Sequence, residues 1–459
     1  MAGIGFALRR LAQQDTLSAR LRAYAHAASV SSGPWLFTVI ALGGVQMAAR
    51  SLLGQDQVQV FSIIIIYNFA FSLVVSGPVV LVVTRRLADK IYARDVSEAP
   101  GIFLGALILI LGLELLLAVP FYGVFAELSD AERVLAIVNF LVVGGIWLAC
   151  AFLSALKSFG TISAAFAIGM AVGFGGVLLL GPSFGPAGML AGFTAGLATI
   201  FFGLAARVFT EYPYPAIRPF AFLHDFRRYW EFALVGLFYN AAIWVDKWVM
   251  WSAPGRIVIA GAMPAHPAYD GAMFLAYLTI VPSMTVFLVS IETEFFERYL
   301  RFYSSVERHG TAAEIWTHHR ALLRVLMRSA GHIAVLQAVV AYVAILVVPG
   351  LIGLGRDGVG MVSIYRFGVL GALFHVLLLT TMVVMSYFDL RRPLVAVSGL
   401  FFALNLGLTL ACHSLGAGYF GYGYLLSALV TLVVAVVLTS SRVLRLPYMT
   451  FIANNQGLR

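Results

Sequence analysis

Tyr239-Asn240-Ala241-Ala242-Ile243-Trp244-Val245-Asp246-Lys247-Trp248-Val249-Met250-Trp251 stands at the middle of the chain, and the architecture turns on how this stretch is understood. Apolar residues run from Phe232 through Trp251, long enough at about 1.5 Å per residue to cross most of a ~30 Å hydrocarbon core. An acid and a base lie inside the run. At a helix centre each costs about 2.5–3.5 kcal/mol on insertion scales, so such residues face a bundle interior or a wet cavity. Successive side chains point roughly 100° apart around a helix. The expectation is that Asp246 and Lys247 do not neutralise each other and that each finds a partner on another helix. A competing reading puts both near the outer end, with Lys247 snorkelling to the headgroups and the tryptophans forming an interfacial belt.

Around this stretch, the 459 residues are 61% hydrophobic and 11% charged, with a mean hydropathy of +0.93. That excludes a soluble globule with a polar surface and defines a polytopic membrane protein. The +9 formal charge is scattered between apolar runs rather than gathered in a basic domain, which argues against nucleic acid as a partner. Cys150 and Cys412 have neither a disulfide framework nor metal-ligand spacing. No cofactor or metal is expected.

Spanning candidates of about 20 apolar residues fall at 23–48, 59–83, 101–122, 133–156, 160–180 and 186–207, then at 228–251, 271–291, 329–349, 362–386, 393–413 and 418–440. The expected fold is all-α, with twelve transmembrane helices in two six-helix lobes. Residues 1–22 read as a basic cytoplasmic interfacial segment, 23–210 as the N-terminal lobe, and 211–227, punctuated by Pro213, Pro215 and Pro219, as a cytoplasmic linker. Residues 228–440 are the C-terminal lobe and 441–459 a cytoplasmic tail. Placing both termini in the cytoplasm leaves only Arg50, Arg133, Arg256, Arg356 and Arg366 outside and Lys247 within a span, the asymmetry of the positive-inside rule.

Several intramembrane residues call for a reason. Glu114 lies mid-span among leucines and should face inward, as a substrate contact, a protonatable coupling group or interhelical glue. Tyr67, Asn68, Asn139, Asn240 and Asn405 are further polar points, Tyr239 and Trp244 join Asn240, Asp246 and Lys247 as candidates to line a path or bridge the lobes, and His332 and His375 read first as satisfied structural histidines. Arg366 enters the tenth span from outside as a long-range partner for Asp246. Gly33-Pro34 and Gly77-Pro78 break the helical ladder near the cytoplasmic side and could form a bending gate, with Pro282 in the corresponding place of the second half. Gly169 and Gly173, and Gly188, Gly192 and Gly196, have the GxxxG spacing that lets backbones approach. Gly353 to Gly358 fits GxGxxG without a preceding strand, so no dinucleotide site follows.

After the eighth span, Phe295, Phe296, Tyr299 and Phe302 recur at helical spacing against Glu294, Glu297, Arg298 and Arg301. The connection 292–328 therefore begins as an amphipathic cytoplasmic helix. Its aromatic face lies on headgroups or docks a cytosolic partner.

The opening Ala2-Gly3-Ile4-Gly5-Phe6, Ser32-Gly33-Pro34-Trp35, Phe69-Ala70-Phe71-Ser72 with Gly77-Pro78 and Thr84-Arg85-Arg86-Leu87-Ala88-Asp89, Tyr239-Asn240 with Trp244-Val245-Asp246-Lys247, and Glu292 through Tyr303 together resemble the PelG family. That family comprises inner-membrane exporter components of bacterial Pel exopolysaccharide machinery, within the multidrug, oligosaccharidyl-lipid and polysaccharide exporter group. The resemblance covers essentially the full length. It implies alternating access to a central cavity, passage of an amino-sugar polymer, and partnership with a cytosolic glycosyltransferase using UDP-sugars and with other inner-membrane components of the system.

The expected activity is non-enzymatic transport. Spans and short loops consume the chain, leaving no Walker A loop and no soluble domain of glycosyltransferase size. Energy then comes from an ion gradient, from polymer growth in a partner, or from both. The alternatives are a lipid-linked sugar flippase or drug/cation antiporter of the same architecture, and a membrane scaffold that anchors the polymerising enzyme. A scaffold needs few intramembrane polar residues, because each is costly.

Overall fold

A computed structural model describes residues 37–48, 54–156, 158–352 and 358–448. Gly33, Pro34 and the basic segment 1–22 lie outside the described residues. The described residues are mostly helical, with one two-stranded hairpin among them, and they divide into two compact units, one within 32–267 and the other from Ala268 onward. Among the described residues, nine helices are long and apolar enough to cross a membrane. This is a multi-pass membrane protein.

The first unit contains α1 (Phe37–Ala48), α2 (Gln55–Tyr92), α3 (Ala99–Pro120), α4 (Asp130–Ala155), α5 (Phe159–Glu211) and α6 (Trp230–Met250). A capping box starts α4: the Glu132 amide donates to Ser129 Oγ, and the Ser129 amide donates to Glu132 Oε2, satisfying two helix-end donors. At 53 residues α5 is two helices joined across Gly185, whose φ of 57° and ψ of −141° need a residue without Cβ. Its arms fold back on each other. A Cβ at Gly192 would enter the backbone of Gly176, and one at Gly196 the backbone of Gly169 and Gly173, so the GxxxG spacing serves the close approach expected of it.

Trp230–Met250 is absent from the nine apolar helices because Asn240, Asp246 and Lys247 dilute it. It belongs to the first unit, packed along α2. The sequence divides the chain at 211–227, whereas the packing divides it at Pro267. Nor is 211–227 a free strap: Tyr212 and Phe222 are buried, and the carbonyls of Ile217 and Pro219 lie where Cβ atoms on Gly101 and Gly105 of α3 would sit. A two-stranded antiparallel hairpin, β1 (Ile257–Ile259) with β2 (Met263–Ala265), closes the unit, pairing Ile257 with Ala265.

The second unit contains α7 (Pro267–Leu278), α8 (Val281–Ser290), α9 (Phe296–Glu307), α10 (Ala312–Ile352), α11 (Gly358–Tyr387), α12 (Arg391–Leu415) and α13 (Tyr422–Val443). The eighth span is expected as one helix over 271–291, but it is broken at Thr279–Ile280, and Pro282 opens the next helix. There its missing N–H leaves no bond unmade. The helix continues through a π turn at Ile291–Phe295 into α9. Helices α11, α12 and α13 pack on one another, and between α11 and α13 His375 Nδ1 meets the Tyr424 hydroxyl at 2.8 Å, the satisfied histidine the sequence suggests. His332 is exposed.

Candidate functional site

The polar and aromatic residues of the first unit converge on α2. Gly77 and Gly236 bring the α2 and α6 backbones into contact, since a Cβ on either would strike the other's carbonyl. One turn along α6, Asn240 Nδ2 donates to the Leu73 carbonyl at 3.0 Å. Pro78 leaves the carbonyl one turn back without its helical donor, and the glycine beside it makes room for α6. Gly77-Pro78 is therefore a packing notch within a single helix that continues to Tyr92.

Beyond Asn240 the seam becomes aromatic. Phe71 stacks on Trp248 with centroids 5.2 Å apart and planes 2° from parallel, and Tyr67 stacks on Trp251 at 4.7 Å and 6°. The Tyr67 hydroxyl donates to the Pro264 carbonyl at 2.7 Å, tying the ladder to the hairpin. Behind it, Asn68 Nδ2 donates to Asn139 Oδ1 at 2.8 Å, Tyr122 donates to Asn68 Oδ1 at 2.6 Å, and Asn139 donates to Thr194 at 2.9 Å. These are satisfied interhelical bonds joining α2, α4 and α5.

Asp246 has no exposed surface and Lys247 is 7% exposed. The Lys247 ammonium lies 3.1 and 3.2 Å from the two Asp246 oxygens, donates to the Ile243 carbonyl at 3.1 Å and sits 5.7 Å from the Trp244 ring centroid. This corrects the expectation that adjacent residues on a helix do not neutralise each other. Side chains lean toward the helix N-terminus, and the four-carbon lysine stem is long enough to curl back over the preceding turn. Arg366, proposed from sequence as the partner of Asp246, is an exposed residue of α11. Tyr239 and Trp244 are half-buried on α6.

Glu114 also has no exposed surface. Leu113, Leu115, Leu116 and Leu117 around it are exposed, so the acid is the inward residue of its turn, against Gly144 of α4, where a Cβ would overlap the carboxyl group. Neither carboxyl oxygen has a hydrogen-bond partner among the described residues.

At the far end of α2 the helix becomes charged. Arg86 pairs with Asp225 and, at 2.8 Å, with Glu98; Lys90 pairs with Glu98 at 3.1 Å and Asp95 at 3.4 Å; Tyr229 donates to Asp89. The hydrogen bond from Arg86, joined by Lys90, holds the Glu98 carboxyl below the ordinary carboxylate range.

The aromatic run after the eighth span is placed otherwise than expected for a docking face. Phe295 and Phe302 are buried. Phe295 packs edge-on to Tyr387 at 5.1 Å, Phe302 lies 5.9 Å from the His319 ring, and the half-buried Tyr299 donates to the Tyr387 carbonyl at 3.2 Å. Phe296 is half-buried, 6.5 Å from Tyr299. The face that sequence offers to a partner is taken by α10 and α11 of the same unit.

This arrangement of long apolar helices, with buried polar groups and a broken double-length pair, is similar in fold to solved transporters of the MOP superfamily. A MOP-superfamily transporter from Pyrococcus furiosus superposes with a TM-score of 0.66 at 13% identity, covering 93% of this chain and 96% of that one. An outward-facing multidrug-resistance MATE transporter gives 0.64 at 13% identity over 92% and 96%, and an inward-facing one 0.58 at 14% over 97% and 99%. At these identities the likeness is one of fold. The chain belongs to the PelG family, described as "Putative exopolysaccharide Exporter (EPS-E)", whose model matches residues 1–451. No curated protein matches it.

Proposed function

We propose that this protein exports an amino-sugar exopolysaccharide of the Pel type from the cytoplasm to the periplasm across the bacterial inner membrane, fed by a cytosolic UDP-sugar-dependent glycosyltransferase. In this reading it makes twelve crossings: the nine apolar helices with α5 counted twice, the more polar α6, and a first span of which α1 is the described end. Both termini are cytoplasmic, and the chain itself catalyses no reaction. The observation that carries the reading is the buried pair Asp246–Lys247 beside an aromatic ladder, with Glu114 buried in the same unit. Charged groups at membrane depth are expensive and mark substrate or ion pathways. A scaffold that only anchors a polymerase has no use for them.

The test is reconstitution. Purified protein in liposomes, supplied with the glycosyltransferase and UDP-sugar, should deliver polymer to the lumen in proportion to exporter. The double variant D246N/K247Q and the variant E114Q should reach the membrane normally and deliver less. Delivery from exporter-free liposomes, or undiminished delivery by both variants, would falsify the path.

A further inference from the structure

The charged end of α2 leaves a surplus that the export reading does not use. Most acids there are already taken by other groups: Glu98 and Asp225 by Arg86, Asp95 and Glu98 by Lys90, Asp89 by Arg85 and Tyr229, and Glu211 by Arg207. Arg94, Arg218, Arg227 and Arg228 are exposed, and none of the four is in an ion pair among the described residues. Arg228 lies 5.2 Å from the Tyr229 ring centroid, which aligns its guanidinium without discharging it.

The fold brings the segments that carry these four together. The glycine notch at Gly101 and Gly105 seats the backbone of 217–219, and Arg218 with it, on the first turns of α3. Arg86 ties Asp225, which begins the short helix carrying Arg227 and Arg228, to Glu98, four residues after Arg94. Interleaved with the arginines are Ile217, Phe220, Leu223 and Trp230, each between 44% and 47% exposed. The whole edge lies between the end of α5 at Glu211 and the start of α6 at Trp230, where two membrane helices leave the apolar layer.

We propose that this shelf binds the phosphodiester headgroups of anionic phospholipids. Guanidinium matches a phosphate's oxygens in geometry as well as charge, and juxtamembrane clusters of four or more basic residues draw anionic lipid. The interleaved apolar side chains select lipid over an acidic soluble partner. A surface kept for a soluble protein would hold Phe220, Leu223 and Trp230 in water whenever that protein was away. At headgroup depth the rings enter the boundary layer while the arginines stay in the polar zone.

The full chain is purified, delipidated in detergent and offered phosphatidylglycerol and phosphatidylcholine in equal amounts, and the retained lipid is counted by native mass spectrometry. Wild type should keep phosphatidylglycerol at least tenfold over phosphatidylcholine, and the preference should fall as salt is raised. R94Q/R218Q/R227Q/R228Q should lose most of the preference, whereas the charge-matched set R308Q/R320Q/R324Q/R328Q, exposed on the second unit, should keep it. If the first set does not fold, R94Q/R218Q and R227Q/R228Q, tested separately, should each lower the preference. Equal retention of both lipids by wild type, or equal loss from both four-residue sets, overturns the proposal. So does an unchanged lipid preference accompanied by loss of glycosyltransferase co-purification, which would make the shelf a protein contact.

Discussion

Asp246 and Glu114 are both wholly buried carboxylates of the first unit, yet their surroundings are opposite. Asp246 holds the neighbouring ammonium within 3.2 Å on both oxygens, while Glu114 rests on a glycine with no hydrogen-bond partner among the described residues. Those surroundings decide which substitution each site tolerates. A charge buried as half of a pair fails when its mate is removed, because the survivor is stranded; a carboxyl buried alone fails when its shape is disturbed.

The largest effect should come from splitting the pair. D246N, which strands the Lys247 ammonium, is expected to cost about 3–5 kcal/mol, read as reduced folded protein in the membrane and a lower unfolding temperature. Adding K247Q should recover more than half of that loss, and a double variant no better than D246N would mean the two charges are not coupled. Next comes the shape of the lone site. G144A drives a Cβ into the Glu114 carboxyl and should cost about 1–3 kcal/mol, as overpacking does, and in an E114A background the same change should cost less than half as much. Smaller still, E114Q keeps the shape and should leave folding within about 1 kcal/mol of wild type, so that any transport defect it shows lies in function. The smallest effect belongs to a carboxylate with two cations near the water. E98Q should cost under about 1 kcal/mol. Because the Glu98 carboxyl is held below its usual range, its contribution is present at neutral pH and is lost as pH falls through that depressed value. Unfolding temperatures of wild type and E98Q should converge there.

The membrane class, the helix positions and the glycine contacts of α5 were legible, because apolar run length and small-residue spacing act locally and leave a periodic trace. Asn68 and Asn139 were also legible as interhelical bonds, although which would meet which was not. The Asp246–Lys247 pair was misread because angular position on a helix predicts where Cβ points and says little about where a flexible ammonium four carbons further out comes to rest. The face formed by Phe295, Tyr299 and Phe302 was legible as a stripe but not as a contact: periodicity shows that a face will be covered without naming the cover, and α10 and α11 cover it. The division at Pro267 left no signal at all, since α6 joins the first unit through Gly77 and Gly236, two residues that look ordinary until they touch. The four-arginine edge could have been found by subtracting paired acids from the basic count, had the pairing been known.

The notch on α2 also sets an order of events. The arms of α5 meet through glycines that are near one another in the chain, so closing them costs little loop entropy and happens early. Gly77 must instead wait for Gly236, far downstream, and chains are made from the N-terminus. During synthesis α2 is thus complete, with the Leu73 carbonyl and the glycine groove uncovered, before any residue of α6 has left the ribosome. That interval is when the nascent protein is most exposed to pairing with the wrong helix, and a lesion at Gly236 would prolong it indefinitely.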